Sequence, residues 1–147
     1  MTATRNGSCH CGAVRFAVQL PQSIAASRCN CSICAMKGAA MAYAPLEALR
    51  VTAGEDVVAC YRFNTMQAEH HFCPRCGIHL FHKARSDPDK YGVNLAALDG
   101  VRVYEDFAKV PVFDGQRHSS DNDGRRYQAG WLRFEPTPDE DWPDGVI

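Results

Sequence analysis

The sequence has no long apolar run. The longest stretch without charged or strongly polar side chains extends only from Gly38 to Leu46, well short of the roughly 18 residues that mark a membrane-spanning helix. Insertion into a membrane through a helix is therefore excluded. Charge of one sign is also lacking: 16 basic against 17 acidic residues give a formal net charge of −1. Composition thus supplies no electrostatic footprint for nucleic acid or an anionic membrane, and neither partner is expected. Met1 to Gly7 has no apolar segment of the kind that carries export, which sets the expectation of a reducing, cytoplasmic environment. Helical periodicity is sparse, and no repeat occurs beyond pairs of cysteines. With 147 residues, 46% apolar and 22% charged, the chain is sized and composed for one globular domain rather than a disordered or fibrous polymer.

What is abundant is cysteine. Seven of the eight cysteines fall into three groups, Cys9-His10-Cys11, Cys29-Asn30-Cys31-Ser32-Ile33-Cys34 and Cys73-Pro74-Arg75-Cys76-Gly77. In a reducing compartment such clusters point to metal before disulfide. A C-x-x-C turn lets two thiolates converge on one ion, and a following glycine such as Gly77 supplies the left-handed conformation the turn needs. Soft thiolates without a haem motif favour zinc or an iron–sulfur cluster, and the C-x-C spacings are not those of ferredoxin runs. Zinc is the expected occupant, two ions per chain. A structural zinc takes four protein ligands and a reactive one keeps three with an open position, and seven thiols divide that way. Ligand counting pairs Cys9 and Cys11 with Cys73 and Cys76, and leaves Cys29, Cys31 and Cys34 as an open site. Spacing alone leaves alternatives: His10, His70, His71, His79, His82 or His118 could close a second structural site, or the trio could be a redox dithiol. Cys60, in the strand-like run Val57 to Phe63, is expected to be a small buried apolar residue.

Val14, Phe16, Val18 and Leu20 alternate with less apolar neighbours and predict a half-buried strand ending at Pro21. Further strands are expected at Ala40 to Ala44, Arg50 to Thr52, Val57 to Phe63, Glu69 to Phe72, Ile78 to Lys83, Tyr91 to Leu98 and Val101 to Tyr104. Pro45 to Leu49 is expected to form one helical turn. Turn signals at Pro45, Ala53-Gly54, Ser86 to Asp89 and Asp99-Gly100 separate these runs. Many short strands predict an all-β domain over residues 1–134. Residues 135–147 read as an acidic, proline-rich tail. Its Trp142 is expected either to anchor the tail or to contact a second copy, as in a homodimer.

Three segments resemble the glutathione-dependent formaldehyde-activating enzyme family, which also includes centromere protein V. Gly7-Ser8-Cys9-His10-Cys11-Gly12-Ala13-Val14-Arg15-Phe16 is similar to the family's G-x-C-x-C-G-x-V-R-F opening, Cys29 to Cys34 to its C-x-C-S-x-C loop, and Phe72-Cys73-Pro74-Arg75-Cys76-Gly77 to its F-C-x-x-C-G. The correspondence in order and separation runs from Gly7 to Gly100. Tyr61 to Thr65, Ala68, His70, Phe72 and Arg85 to Pro88 lie closer to the centromere protein V branch. The resemblance implies a β-tent of stacked antiparallel sheets. It also implies a structural zinc on Cys9, Cys11, Cys73 and Cys76 and a catalytic zinc on Cys29, Cys31 and Cys34. The implied activity is that of a carbon–sulfur lyase, joining glutathione to formaldehyde as S-(hydroxymethyl)glutathione or cleaving that adduct.

Such a site would hold the incoming thiol as thiolate, the species that attacks a small aldehyde. Three ligand thiolates leave a Zn2+ site at net −1, so it is expected to position sulfur more than to polarise the carbonyl. The alkoxide then needs a proton, for which His70 is the first candidate beside His71 and His118. Arg28 and Arg85 are the candidates for holding substrate carboxylates. Two other classes of function compete with this one: a zinc-stapled protein-binding module without catalysis, and a thiol redox or zinc-buffering protein.

Overall fold

The computed structural model describes residues 1–138, and positions 139–147, with Trp142, lie outside the described residues. Eleven strands follow in chain order: β1 (Thr2–Ser8), β2 (Arg15–Pro21), β3 (Arg28–Cys29), β4 (Met41–Pro45), β5 (Leu49–Ala53), β6 (Ala59–Tyr61), β7 (Glu69–Phe72), β8 (His79–Ala84), β9 (Asp87–Asn94), β10 (Lys109–Phe113) and β11 (Gln128–Arg133). Two short helices, α1 (Ser32–Lys37) and α2 (Val103–Asp106), interrupt them. The fold is all-β, as the strand pattern predicts.

The strands form three sheets, ordered β1-β2-β5, β4-β9-β8-β7-β6 and β11-β10-β3. All pairings are antiparallel except β10 with β3. Val14, Phe16, Val18 and Leu20 are all buried and Arg15 and Gln19 face solvent, as the alternation in and before β2 predicts, but Ala17 on the alternate face is buried as well. Phe16 meets Phe81 of β8 edge to face, with centroids 5.9 Å apart. This contact, with Leu80, Val93 and Leu95, joins the first sheet to the second across one core. Isolated bridges at Gly7–Leu98 and Ser27–Met41 pin the sheet margins.

Several elements depart from the sequence expectation. β1 carries no apolar face, because most of its residues are exposed or half-buried, so periodicity could not reveal it; it is held by full-length pairing with β2. β10 contains Pro111 and β11 is exposed along nearly its whole length, features that argue against strands. Val101 to Tyr104 is not a strand but leads into α2, whose start is closed by the Arg102 N–H donating to Asp106 Oδ2 at 2.8 Å. The turn at Ser86 to Asp89 contracts to Arg85-Ser86, because Ala84 pairs directly with Asp87, which sets Arg85 on the tip of the β8–β9 hairpin. Cys60 is exposed rather than buried, since β6 is an edge strand. Pro45 to Leu49 does contain one turn of 3-10 helix, Leu46–Ala48.

Phe16 should carry much of the inter-sheet contact. With metal held constant, Phe16→Ala is expected to lower stability by about 3–5 kcal/mol. Arg15→Ala, whose ion pair to Asp99 is solvent-exposed, should change stability by less than about 1 kcal/mol. Urea midpoints of the two variants would check the contrast.

Candidate functional site

The first and last cysteine pairs meet. The Cys9 N–H donates to the Val14 carbonyl at 3.0 Å and the Val14 N–H returns to Cys9 Sγ at 3.3 Å, so the turn before β2 folds around its own sulfur. The turn between β7 and β8 does likewise, with Cys73 N–H to Ile78 O at 3.0 Å and Gly77 N–H to Cys73 O at 2.7 Å. Gly77 has φ +77°, as its position after the C-x-x-C predicts. Cys9 Sγ lies 3.6 Å from Cys11 Sγ, which lies 3.8 Å from Cys73 Sγ. Four sulfurs about 2.3 Å from one zinc stand about 3.8 Å apart along a tetrahedral edge, so this donor set fits a zinc ion. Backbone N–H groups of Cys11 and Ile78 hold the Cys76 thiol down to about 6.

The trio occupies a different setting. Cys29 ends β3, Cys31 stands at the N-terminal cap of α1, and Cys34 follows in its first turn. The donor atoms of all three lie within 4.8 Å of one another. Thiol donation from Cys29 and Cys34, helped by the backbone N–H groups of Cys34 and Ile33, pushes Cys31 down to about 2, while Cys34 is pushed up as the donor to both neighbours. Three soft sulfur donors converging on one locus are suited to a thiophilic cation.

The trio also has a roof that sequence reasoning missed. Phe113 of β10 pairs with Cys29, and the Asn30 N–H donates to the Phe113 carbonyl at 3.1 Å. The Gly115 N–H then donates to Asn30 Oδ1 at 2.8 Å. A Cβ on Gly115 would stand 2.5 Å from Cys29 Sγ and 2.5 Å from Cys31 Cβ, so only glycine lets this loop close over the sulfurs. The signal was present in Val112-Phe113-Asp114-Gly115, an apolar run ending in an Asp-Gly turn.

A cavity of about 360 Å³ opens over the trio. Its wall includes His70, His118, Arg28 and Arg85, four of the residues singled out from sequence; His71 is not among them. Instead His71 stacks on Phe81 at 4.9 Å. Arg28 Nη1 donates to the Gly38 carbonyl. Arg85 is held by both carboxylate oxygens of Asp121, at 3.1 and 2.7 Å, and its Nη2 lies 3.2 Å from His118 Nδ1. His70 is buried on β7, with Phe63 stacked against it at 5.8 Å. Its Nδ1 lies 2.7 Å from Lys37 Nζ at the end of α1. Burial, and then the Lys37 ammonium, pushes His70 down to about 4, and burial brings Lys37 down to about 8. Lys37 is a polar partner that sequence reading did not assign.

A sequence profile described as the glutathione-dependent formaldehyde-activating enzyme matches residues 4–111. The chain belongs to this family. A Halomonas elongata protein described as a "putative glutathione-dependent formaldehyde-activating enzyme" is 38% identical over 84 residues, which cover 51% of this chain and 53% of that one. The chain thus spans about half the length of that curated relative. A crystal structure of a Rhodobacter sphaeroides protein is 45% identical with a TM-score of 0.69, covering 73% of this chain and 98% of that chain. Family membership and the two cysteine groups agree in marking residues that could hold metal ions. No helix of the described residues is long and apolar enough to cross a membrane.

Gly115 should be needed for the trio rather than for the fold. Gly115→Ala is expected to weaken metal retention at the trio by about 10- to 100-fold with unchanged circular dichroism, measured by competition against a chromophoric zinc chelator.

Proposed function

We propose that this chain is a zinc-dependent carbon–sulfur lyase that forms or cleaves a hemithioacetal between glutathione, or a related thiol, and a small aldehyde such as formaldehyde. The observation that carries the reading is the asymmetry of the two sulfur groups. Four thiols, two of them in the core, meet as a complete tetrahedral donor set, whereas three meet under a cavity large enough for a small-molecule substrate. Zinc on Cys29, Cys31 and Cys34 would supply an open coordination position at which a fourth sulfur is kept as thiolate.

The chain's own residues supply the remainder. Phe113 and Gly115 hold the trio under its roof, and Phe63 and Tyr43 contribute aromatic surface to the cavity wall. Attack of thiolate sulfur on the aldehyde carbon forms one C–S bond and moves the carbonyl electron pair onto oxygen. That oxygen takes a proton from His70, which the Lys37 ammonium replenishes through Nδ1. The proton released when the thiol first ionises balances the one delivered, so the sum is simple addition of thiol to aldehyde. Lys37 near 8 is close to the operating pH, where a proton donor is most effective.

The cavity's guanidiniums answer to the two carboxylates of glutathione. Arg85 already holds Asp121, so a substrate carboxylate competes with that side chain. Cys31→Ser should lose about one zinc equivalent by native mass spectrometry while retaining its circular dichroism, and adduct formation followed by exchange NMR should fall to the uncatalysed rate; loss of the fold, or unchanged turnover, would overturn the open-site reading. Asp121→Asn should lower KM for glutathione severalfold with little change in kcat, because it releases Arg85 for the substrate.

A further inference from the structure

Three histidines outside both cysteine groups converge. His70 projects from β7 and His79 and His82 from β8, and one nitrogen of each lies within 4.8 Å of the others. Their rings pack as a cluster, with centroids 5.6 Å apart for His70–His82, 5.6 Å for His79–His82 and 6.4 Å for His70–His79. His70 and His82 are 5% and 4% exposed.

Burial of this kind is costly unless the polar atoms find partners. Four ring nitrogens do not: His70 Nε2, both nitrogens of His79, and His82 Nδ1 are buried with no hydrogen-bond partner among the described residues. Among the described residues the one hydrogen-bond partner of these rings is Lys37, on His70 Nδ1. Aromatic packing accounts for the ring faces but not for four orphaned nitrogens on one small locus. Gly92 permits the arrangement, since a Cβ there would fall 2.5 Å from His82 Cε1.

We infer that His70, His79 and His82 form a third metal site, an imidazole-only position for a borderline divalent ion such as Zn2+ or Co2+. Three histidines with an open position are an established donor set for these ions. Nitrogens about 2.0–2.1 Å from an ion stand about 3.4 Å apart, so closing on it asks each ring to move by less than about an ångström. His70 and His82 also line the trio's cavity, which connects the site to solvent. An ion here keeps its full +2 charge, unlike one held by three thiolates, and would favour an oxygen ligand at the open position.

Lys37 sets the terms of binding. Coordination through His70 Nε2 places the ring proton on Nδ1, the atom to which the Lys37 ammonium donates. The ion and the ammonium therefore compete for one imidazole, and their charges repel. An ion held here would also occupy the nitrogen from which His70 delivers its proton in the proposed reaction, inhibiting that reaction rather than serving it. Removing the ammonium should tighten the site.

Purified protein at its resting metal content is titrated with Zn2+ and, separately, with Co2+, and ions per chain are counted by native mass spectrometry. The expected result is one ion above the resting count. His79→Gln and His82→Gln should each lose that increment, and Lys37→Met should tighten it on the order of tenfold or more. The added Co2+ should show ligand-field absorption without new thiolate-to-cobalt charge transfer. The increment should persist in Cys31→Ser, which separates this site from any failure of the trio reading. No added ion in the wild type with either metal, an increment that survives in both histidine variants, or weaker binding in Lys37→Met would overturn the inference. If one histidine variant does not fold, the other and Lys37→Met decide.

Discussion

Four sulfurs drawn together from turns at the two ends of the core constrain everything else in this fold. Cys9 and Cys73 are 2% and 0% exposed, so they belong to the core as much as Phe16 or Leu80 does. Thiolates at about 3.7 Å repel by several kcal/mol even in a moderately polarisable interior, so their convergence is sustainable only around a cation or as protonated thiols. With a cation bound, ligand attraction becomes folding free energy. The clamp fixes the β7–β8 turn against the β1–β2 turn, and that registration carries His70, His79, His82 and Arg85 to their places.

The second sulfur group is built on opposite terms. β3 has two residues and α1 has six, none of them buried. Such a short helix is not stable by itself. It is held from outside, by β10 alongside Cys29 and by the loop at Gly115. A set of four thiolates anchored by two core residues, Cys9 and Cys73, is suited to structure, and a set of three on a supported short helix beneath a cavity is suited to exchange of a ligand. The difference lies in packing as much as in the number of sulfurs.

Much of this was legible in the sequence because sulfur spacing and period-two burial are local signals. The three cysteine groups, the burial of Val14, Phe16, Val18 and Leu20, and the left-handed Gly77 could all be read from neighbouring residues. What escaped was non-local. β1 is defined by its partner rather than by an apolar face, and β10 pairs in parallel with a two-residue strand 80 residues away. Gly115 acquires its meaning only from Cys29 and Cys31, and Lys37 only from His70. Cys60 was misread because an apolar run does not reveal which strand lies at a sheet edge.

The cavity wall bears on how selective such a site would be. Arg85 pairs with Asp121, Arg117 with Asp114 and Arg126 with Asp87, each at 2.7 Å, while Arg28 serves the Gly38 carbonyl. A guanidinium already matched to a carboxylate gains little net charge interaction from exchanging one carboxylate for another. On the proposed reading, such a wall would orient an anionic thiol without strongly favouring it over a neutral one. Discrimination then falls to sulfur itself, through its affinity for an ion held by three thiolates, and to the shape set by Phe63, Tyr43 and the Gly115 loop. On that reading, the choice of thiol would rest on sulfur affinity and on cavity shape, with the carboxylate-paired guanidiniums setting orientation rather than preference.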